Sequence, residues 1–278
     1  MAVFLSVLTA ALFGAGDFLG GLAGRRVRVI QVLAVSHLVG LAGITAAALI
    51  LADDFIAVDL AWGACAGAVG LIGLGLLYRG LARGPMGVVA PLTAITSAAV
   101  PASWGVVIGN DTLTFGAWVG VVVALISVIL VSGERTGGQG VPPLTVIEAL
   151  IAGTGFGFMF VILEQTDAAA APWPIVGARL LTGGGLLLFF VARREQIVPN
   201  DQTSRRLLVG LGVFDTSSNA LFLYAADAGS LTIAAVLSSL YPVSTAVLAS
   251  IVVKERLTRV QQLGFIAALT GAVLIAVA

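Results

Sequence analysis

"ERLTRVQQLGFIAALTGAVLI" (Glu255–Ile275) lies over "DTLTFGAWVGVVVALISVILV" (Asp111–Val131) at an offset of 144 residues. The overlay matches Leu257 with Leu113, Thr258 with Thr114, Gly264 with Gly120, Ala268 with Ala124, Leu269 with Leu125 and Leu274 with Leu130. Upstream, Gly229 falls on Gly84 and "ARLLTGGG" (178–185) on "SHLVGLAG" (36–43), so the chain reads as a duplication. The polar stretch "GERTGGQGVPPL" (133–144) marks the joint. It separates a first repeat, 1–133, from a linker, 134–144, and a second repeat, 145–278.

The composition says where such a chain lives. Of its 278 residues 59% are hydrophobic and only 10% charged, and the mean hydropathy is +1.10, far from the soluble globular range. A helical span needs about 20 apolar residues to cross about 30 Å of hydrocarbon. Ten windows qualify: 2–24, 29–52, 60–82, 85–109, 113–133, 145–165, 172–193, 206–228, 230–253 and 258–278. The alternation of a membrane β-barrel is absent, so the spans are expected to be helices. The expected fold is an all-α membrane protein of ten transmembrane helices, arranged as two five-helix repeats. An odd number of spans per repeat makes the second copy enter from the opposite side, and two inverted halves are a transporter arrangement with the substrate site near the midplane.

Thirteen of the 14 basic residues fall in connections after odd-numbered spans: Arg25, Arg26 and Arg28; Arg79 and Arg83; Arg135; Arg193, Arg194, Arg205 and Arg206; Lys254, Arg256 and Arg259. The other side carries Asp53, Asp54, Asp59, Asp111, Glu164, Asp167 and Asp227 instead. The positive-inside rule puts the basic loops in the cytoplasm of an inner, or cytoplasmic, cell membrane and both termini outside. The first span is long enough to be retained, and "GLAGRRVRV" (21–29) reads as a basic flank, not a cleavage site. The lone Cys65 allows no internal disulfide.

Ionisable groups inside spans are costly and tend to face a cavity or a partner. Asp17 sits about 10 Å from the basic end of span 1 at 1.5 Å per residue. His37 and Asp215 lie at similar depth in spans 2 and 8, and Arg179 is embedded in span 7. His37 and Arg179 occupy equivalent positions in the repeat. Arg179 has two readings, a structural pairing with an acid or carbonyl and a contact with an anionic substrate. His37 also has two, a hydrogen-bonded packing role and a proton relay with Asp17 across a hairpin of spans 1 and 2. In "VFDTSSNALFLY" (213–224), Asp215, Ser218, Asn219 and Phe222 recur at helical spacing as a polar stripe. Span 9 adds Ser238, Ser239 and Tyr241, with Pro242 expected to interrupt the helix. Thr93, Thr96 and Ser97 are the counterparts in span 4, between Pro91 and Pro101. Ser and Thr at such places either line a path or bond their own helix backbone. Glu148 and Glu164 are expected at the interfaces. Gly16, Gly20 and Gly24, and Gly63 with Gly67, are spaced for close helix packing.

Residues 221–278, with the proline after Tyr241, the Glu-Arg-Leu-Thr turn at 255–258 and the closing "QLGFIAALTGAVLI", resemble the last three spans of an EamA-type member of the drug/metabolite transporter superfamily. The resemblance extends more weakly over the first half. It implies a ten-helix bundle exporting or exchanging small metabolites, with spans 1, 3, 4, 6, 8 and 9 around a central cavity. Lys254, Asn110-Asp111 and Phe13 depart from the family pattern. The family habit of cytoplasmic termini opposes the loop charges, and the charges decide our orientation.

The expected function is secondary transport of a small polar metabolite such as an amino acid, nucleobase, sugar or drug-like compound, with protons as a coupling ion carried by Asp17 or Asp215. The partners are the substrate and the bilayer, and the chain is expected as a monomer or weak homodimer. No nucleic acid, cofactor or metal is expected, since one His without Cys or acid at ligand spacing is no zinc set. The only lysine, Lys254, belongs to no phosphate loop, so ATP does not drive this chain directly. A passive channel is the alternative. "GAGD" (14–17) also matches the GxGD string of intramembrane aspartyl proteases, with Asp215 as the other acid, but the order is reversed and their Pro-Ala-Leu element is missing.

Overall fold

The computed structural model describes residues 1–52, 54–108, 114–133, 135–136, 139–167, 170, 172–227, 237–238 and 240–276. Among them ten helices follow one another. The first half holds α1 (Ala2–Gly24), α2 (Val29–Leu51), α3 (Ala57–Arg83), α4 (Met86–Val107) and α5 (Phe115–Gly133). The second holds α6 (Pro143–Leu163), α7 (Trp173–Arg193), α8 (Gln202–Asp227), α9 (Tyr241–Val252) and α10 (Arg259–Ala276). A two-residue antiparallel pairing of Arg135–Thr136 with Gln139–Gly140 occupies the joint. Asp53, Asn110, Asp111, Leu113, Gly229 and Ser239, singled out in the sequence, lie outside the described residues.

In lipid, apolar side chains gain nothing by leaving the hydrocarbon, so packing and hydrogen bonding decide which face turns inward. Large residues such as Phe4, Ile50, Ile72, Leu188 and Ile251 accordingly stay exposed on the outside of the bundle. The buried face of α3 is drawn by small residues, Gly63, Ala66, Gly67, Gly70, Gly73 and Gly80. A methyl group on Gly63 would lie 1.8 Å from the carbonyl oxygen of Pro174, and one on Gly177 would lie 2.2 Å from that of Leu60, so α3 and α7 touch backbone to backbone. Gly20 lies against the Tyr78 ring and Gly24 against the Tyr78 carbonyl and Ala82, as the four-residue spacing of these glycines led us to expect.

The halves interlock. α1 packs on α8 and α9, α6 on α3 and α4, α2 on α7 and α8, and α5 on α10. The expected hairpin of spans 1 and 2 does not form as a packed unit, because α8 runs between them. Gly16 meets Leu211 and Phe214 on one side of α8, while Gly212 on its other side meets Val39 and the Ser36 carbonyl. Pro242 does not interrupt a helix among the described residues. It stands in the first turn of α9, where a missing N–H leaves nothing unpaired.

The main core gathers at the basic end of the bundle. Phe18, Val32, Leu77, Tyr78, Leu81, Met86, Val89, Leu92, Leu208 and Leu211 all lie within a few turns of a basic connection. Ile44, Ala48 and Val176 form a smaller cluster toward the acidic end.

The Glu-Arg-Leu-Thr turn closes this basic end. The Glu255 carboxylate accepts hydrogen bonds from the N–H groups of Met86 and Gly87, each at 2.9 Å, satisfying the bare first turn of α4 from the far end of the chain. Three residues on, Thr258 Oγ1 accepts from the N–H of Gln261 while Gln261 Oε1 accepts from the N–H of Thr258, a reciprocal cap that starts α10. Glu255→Gln, which keeps one acceptor and loses the charge, is expected to cost about 2 kcal/mol, read as a lowered thermal unfolding midpoint in detergent. An unchanged midpoint would remove the carboxylate from this role. Asp201 caps α8 more conventionally, accepting the N–H of Ser204 at 2.7 Å. That bond holds the exposed Asp201 carboxyl below its ordinary range, so the cap is complete at neutral pH and is lost only as acidification passes the lowered value.

Candidate functional site

Three of the residues marked by the sequence meet in the middle of the bundle. Arg179 ends the first part of α7, just before a π-helical turn, Leu180–Gly184, the kind of widened turn that re-aims side chains. Its Nη2 pairs with Asp215 Oδ2 at 2.5 Å and its Nη1 bonds His37 Nε2 at 2.9 Å. His37, 3% exposed, places Nδ1 2.8 Å from Thr182 Oγ1. The Thr182 hydroxyl in turn donates to the Ala178 carbonyl at 2.8 Å.

These bonds fix the proton on His37. Arg179 can only donate, so Nε2 is the acceptor. The Thr182 proton is spent on Ala178, so Nδ1 carries the hydrogen and donates to Thr182. His37 is therefore a neutral ring wedged between two donors' requirements, and its contacts run to α7. The expected relay to Asp17 is corrected: α8 separates α1 from α2, and among the described residues His37 makes no bond to Asp17.

Asp17 stands apart from this network. It is half-buried on α1, accepts no hydrogen bond among the described residues, and lies within electrostatic reach of Asp215, Tyr78 and Tyr241. Arg179 and Asp215 cancel and His37 is neutral, so Asp17 is the one carboxyl group of the site without a counter-charge among the described residues. The pairing also removes the protease reading in physical terms. Two catalytic aspartates must share a proton, whereas Asp215 is committed to a guanidinium.

The polar stripe of α8 is only partly a lining. Ser218 is fully buried and its hydroxyl donates to the Asp215 carbonyl at 2.9 Å, and Asn219 Nδ2 donates to the same carbonyl at 2.7 Å. Both donors serve their own helix. In α4, Thr96 donates to the carbonyls of Leu92 and Thr93, and Ser97 to that of Ala94. Thr93 is shared between the Val89 carbonyl and, at 3.2 Å, the Ala149 carbonyl of α6. Thr245 does the same for α9, reaching the Gly14 carbonyl of α1 at 3.1 Å. Glu148 is not interfacial: it is 4% exposed and ion-paired with Arg79 at 2.9 Å, because the close α3–α6 contact at Gly73 and Gly155 brings the arginine over it. Glu164, exposed at the end of α6, fits the expectation.

Tyr78 and Thr182 were not singled out from the sequence. Tyr78 sits beside a loop arginine and its role depends on Gly20 opposite. Thr182 depends on a π turn that no periodicity announces.

Residues 143–277 match the EamA-like transporter family. The second half is similar to that family. Members of this family are membrane transporters, and the matched residues sit in a chain with five helices long and apolar enough to span a bilayer, besides three shorter apolar ones, among the described residues. The helices accordingly make the chain a multi-pass membrane protein. Among solved structures 25 chains match. One, described only as the crystal structure of a protein, aligns with a TM-score of 0.67 at 17% identity, over 98% of this chain and 95% of its own. That likeness is one of fold. Comparison with curated proteins gave no match. Within the matched residues lie Arg179, Thr182, Asp215 and Glu255. Asp17 and His37 come from the half outside the matched residues, so the site is built from both.

Proposed function

We propose that this chain is a secondary transporter made of two inverted five-helix repeats, exporting or exchanging a small polar metabolite in a proton-coupled cycle. Asp17 is the coupling carboxylate, and the observation that carries this is its isolation: one acid without a counter-charge among the described residues, beside an Arg179–Asp215 pair that neutralises itself. A carboxyl group without a counter-charge holds either a proton or a cationic group of the substrate. Competition between the two is the simplest coupling scheme.

Two features support the repeat. The contacts are exchanged when the halves are exchanged, α1 with α8 and α9 answering to α6 with α3 and α4. His37 and Arg179, equivalent in the sequence repeat, bond each other at 2.9 Å, as residues straddling a two-fold axis would. The site then sits where the halves meet. The basic end is packed shut by Leu81, Met86 and Val88, each fully buried, while Asp17, Asp215 and Tyr241 remain partly open. With the basic loops cytoplasmic, this conformer has the site reached from outside and sealed from the cell.

The test begins with a thermal-shift panel of amino acids, nucleobases and sugars on the purified chain, followed by counterflow of the stabilising compound in proteoliposomes. Exchange stimulated by substrate on the far side is expected, and a channel gives none. Asp17→Asn should lower pH-driven uptake by about tenfold or more, about 1.4 kcal/mol in barrier height, and flatten its pH dependence. Wild-type pH dependence in both Asp17→Asn and Asp215→Asn would end the proton-coupling reading. Orientation is tested by a thiol at residue 2 of a Cys65→Ser chain, which should be labelled from outside the cell. Labelling from the cytoplasm alone would reverse it.

A further inference from the structure

A second cavity lies away from the central site, at the basic face, between the α1–α2 connection and the end of α3. Its volume is about 670 Å³ and its lining includes Arg25, Arg28, Arg79 and Arg83, with Gly24 and Val27 between them and no acidic residue. Arg79 and Arg83 are one turn apart on α3, a like-charge spacing that destabilises a helix unless something answers it.

The answer from the protein is incomplete. Glu148 takes the Nε edge of Arg79 at 2.9 Å, and Glu195 takes Nη2 of Arg28. Arg25 gives one N–H to the Leu81 carbonyl at 3.4 Å. Arg83 has no hydrogen bond or ion pair among the described residues. Each guanidinium carries five donors in a planar fork, so the cavity wall keeps most of its N–H groups unspent around a charge surplus. Planar donor forks around one hollow match the tetrahedral oxygens of a phosphate. The position, where basic loops meet the headgroup layer, is where a phosphate borne by a lipid would arrive without leaving the membrane.

We propose that this cavity binds a phosphate group, with the anionic phospholipid headgroup as its source. The bound phosphate ties the Arg25–Val29 connection to the end of α3 and so reinforces the closed basic face. The proposal is independent of the transported substrate, since none of its residues belongs to the central site.

The full chain, purified in non-ionic detergent, is titrated with short-chain phosphatidylglycerol, with phosphatidylcholine and with inorganic phosphate, reading the thermal unfolding midpoint. Phosphatidylglycerol is expected to raise the midpoint saturably and phosphatidylcholine to leave it unchanged. Arg25→Gln/Arg83→Gln should weaken the apparent affinity about 25-fold, at about fivefold per arginine near an anionic surface. Glu195→Gln, which releases Arg28, should strengthen it and decides the matter if the double variant does not fold. If inorganic phosphate reproduces the effect with the same response to the variants and the lipid adds nothing, the phosphate site stands and its source is soluble. A response to phosphatidylcholine equal to that of phosphatidylglycerol, or one unchanged in Arg25→Gln/Arg83→Gln and in Glu195→Gln, overturns the proposal.

Discussion

Arg179→Gln is expected to destabilise the chain by about 3–5 kcal/mol, the cost of stranding a buried charge when its partner is removed. Asp215 would lose its counter-charge, and His37 Nε2 would lose its donor. An arginine at mid-span is itself charged about 2.5–3.5 kcal/mol on insertion scales, so the pairing must at least offset that penalty. Asp215→Asn alone should be similarly damaging, because it leaves the guanidinium unanswered. The double variant Arg179→Gln/Asp215→Asn should recover most of the loss, since two neutral amides can bond each other and neither is charged. Thermal unfolding in detergent of the four species forms a double-mutant cycle. A coupling near zero would mean that the pair is an incidental contact, and the site would need another architecture.

Gly63→Ala should be nearly as severe, and for a different reason. The added methyl would meet the carbonyl oxygen, carbonyl carbon and Cα of Pro174, all within 2.7 Å. None of these atoms can rotate away as a side chain could, so α3 and α7 must separate, and the contact at Gly67 and Gly177 separates with them. Inserting a methyl group into a packed core costs about 1–3 kcal/mol, and a backbone-to-backbone contact belongs at the upper end. Gly185→Ala is the control: its methyl would meet nothing within 4 Å, and in a helical backbone it should be neutral or slightly stabilising. Size-exclusion profiles and unfolding midpoints of the two variants should differ clearly. Equal behaviour would show that the α3–α7 contact is looser than described.

How much of this was legible follows from what each signal measures. Span length is set by hydrocarbon thickness and the helical rise, and nine of the ten expected spans lie within four residues of the observed helix ends. The exception, span 9, expected from 230, is described as a helix from Tyr241, with residues 228–236 outside the description. Helix neighbours were not legible, because an all-round apolar helix such as α2 carries no stripe to say which side α8 will take. That choice rests on Gly16 and Gly212, one on each helix contact, and a lone glycine looks alike wherever it sits. The central charges were found because an ion in a span is rare. Their pairing was not, since Arg179 had several acids to choose from and the π turn that aims it leaves no mark in the sequence. The stripe of Ser218 and Asn219 left lining and backbone bonding both open, and the structure has both donors on the Asp215 carbonyl, because short hydroxyl and amide groups reach their own carbonyls first.

The grip of Glu255 on Met86 and Gly87 bears on how the protein is made. The acceptor is separated from its donors by about 170 residues of chain. At about 5–20 residues per second of synthesis, α4 waits on the order of 10–30 s for the carboxylate that completes its first turn. Throughout that interval the first half stands in the membrane with its basic end unfinished, and a turn made only after α9 is the one that completes the start of α4.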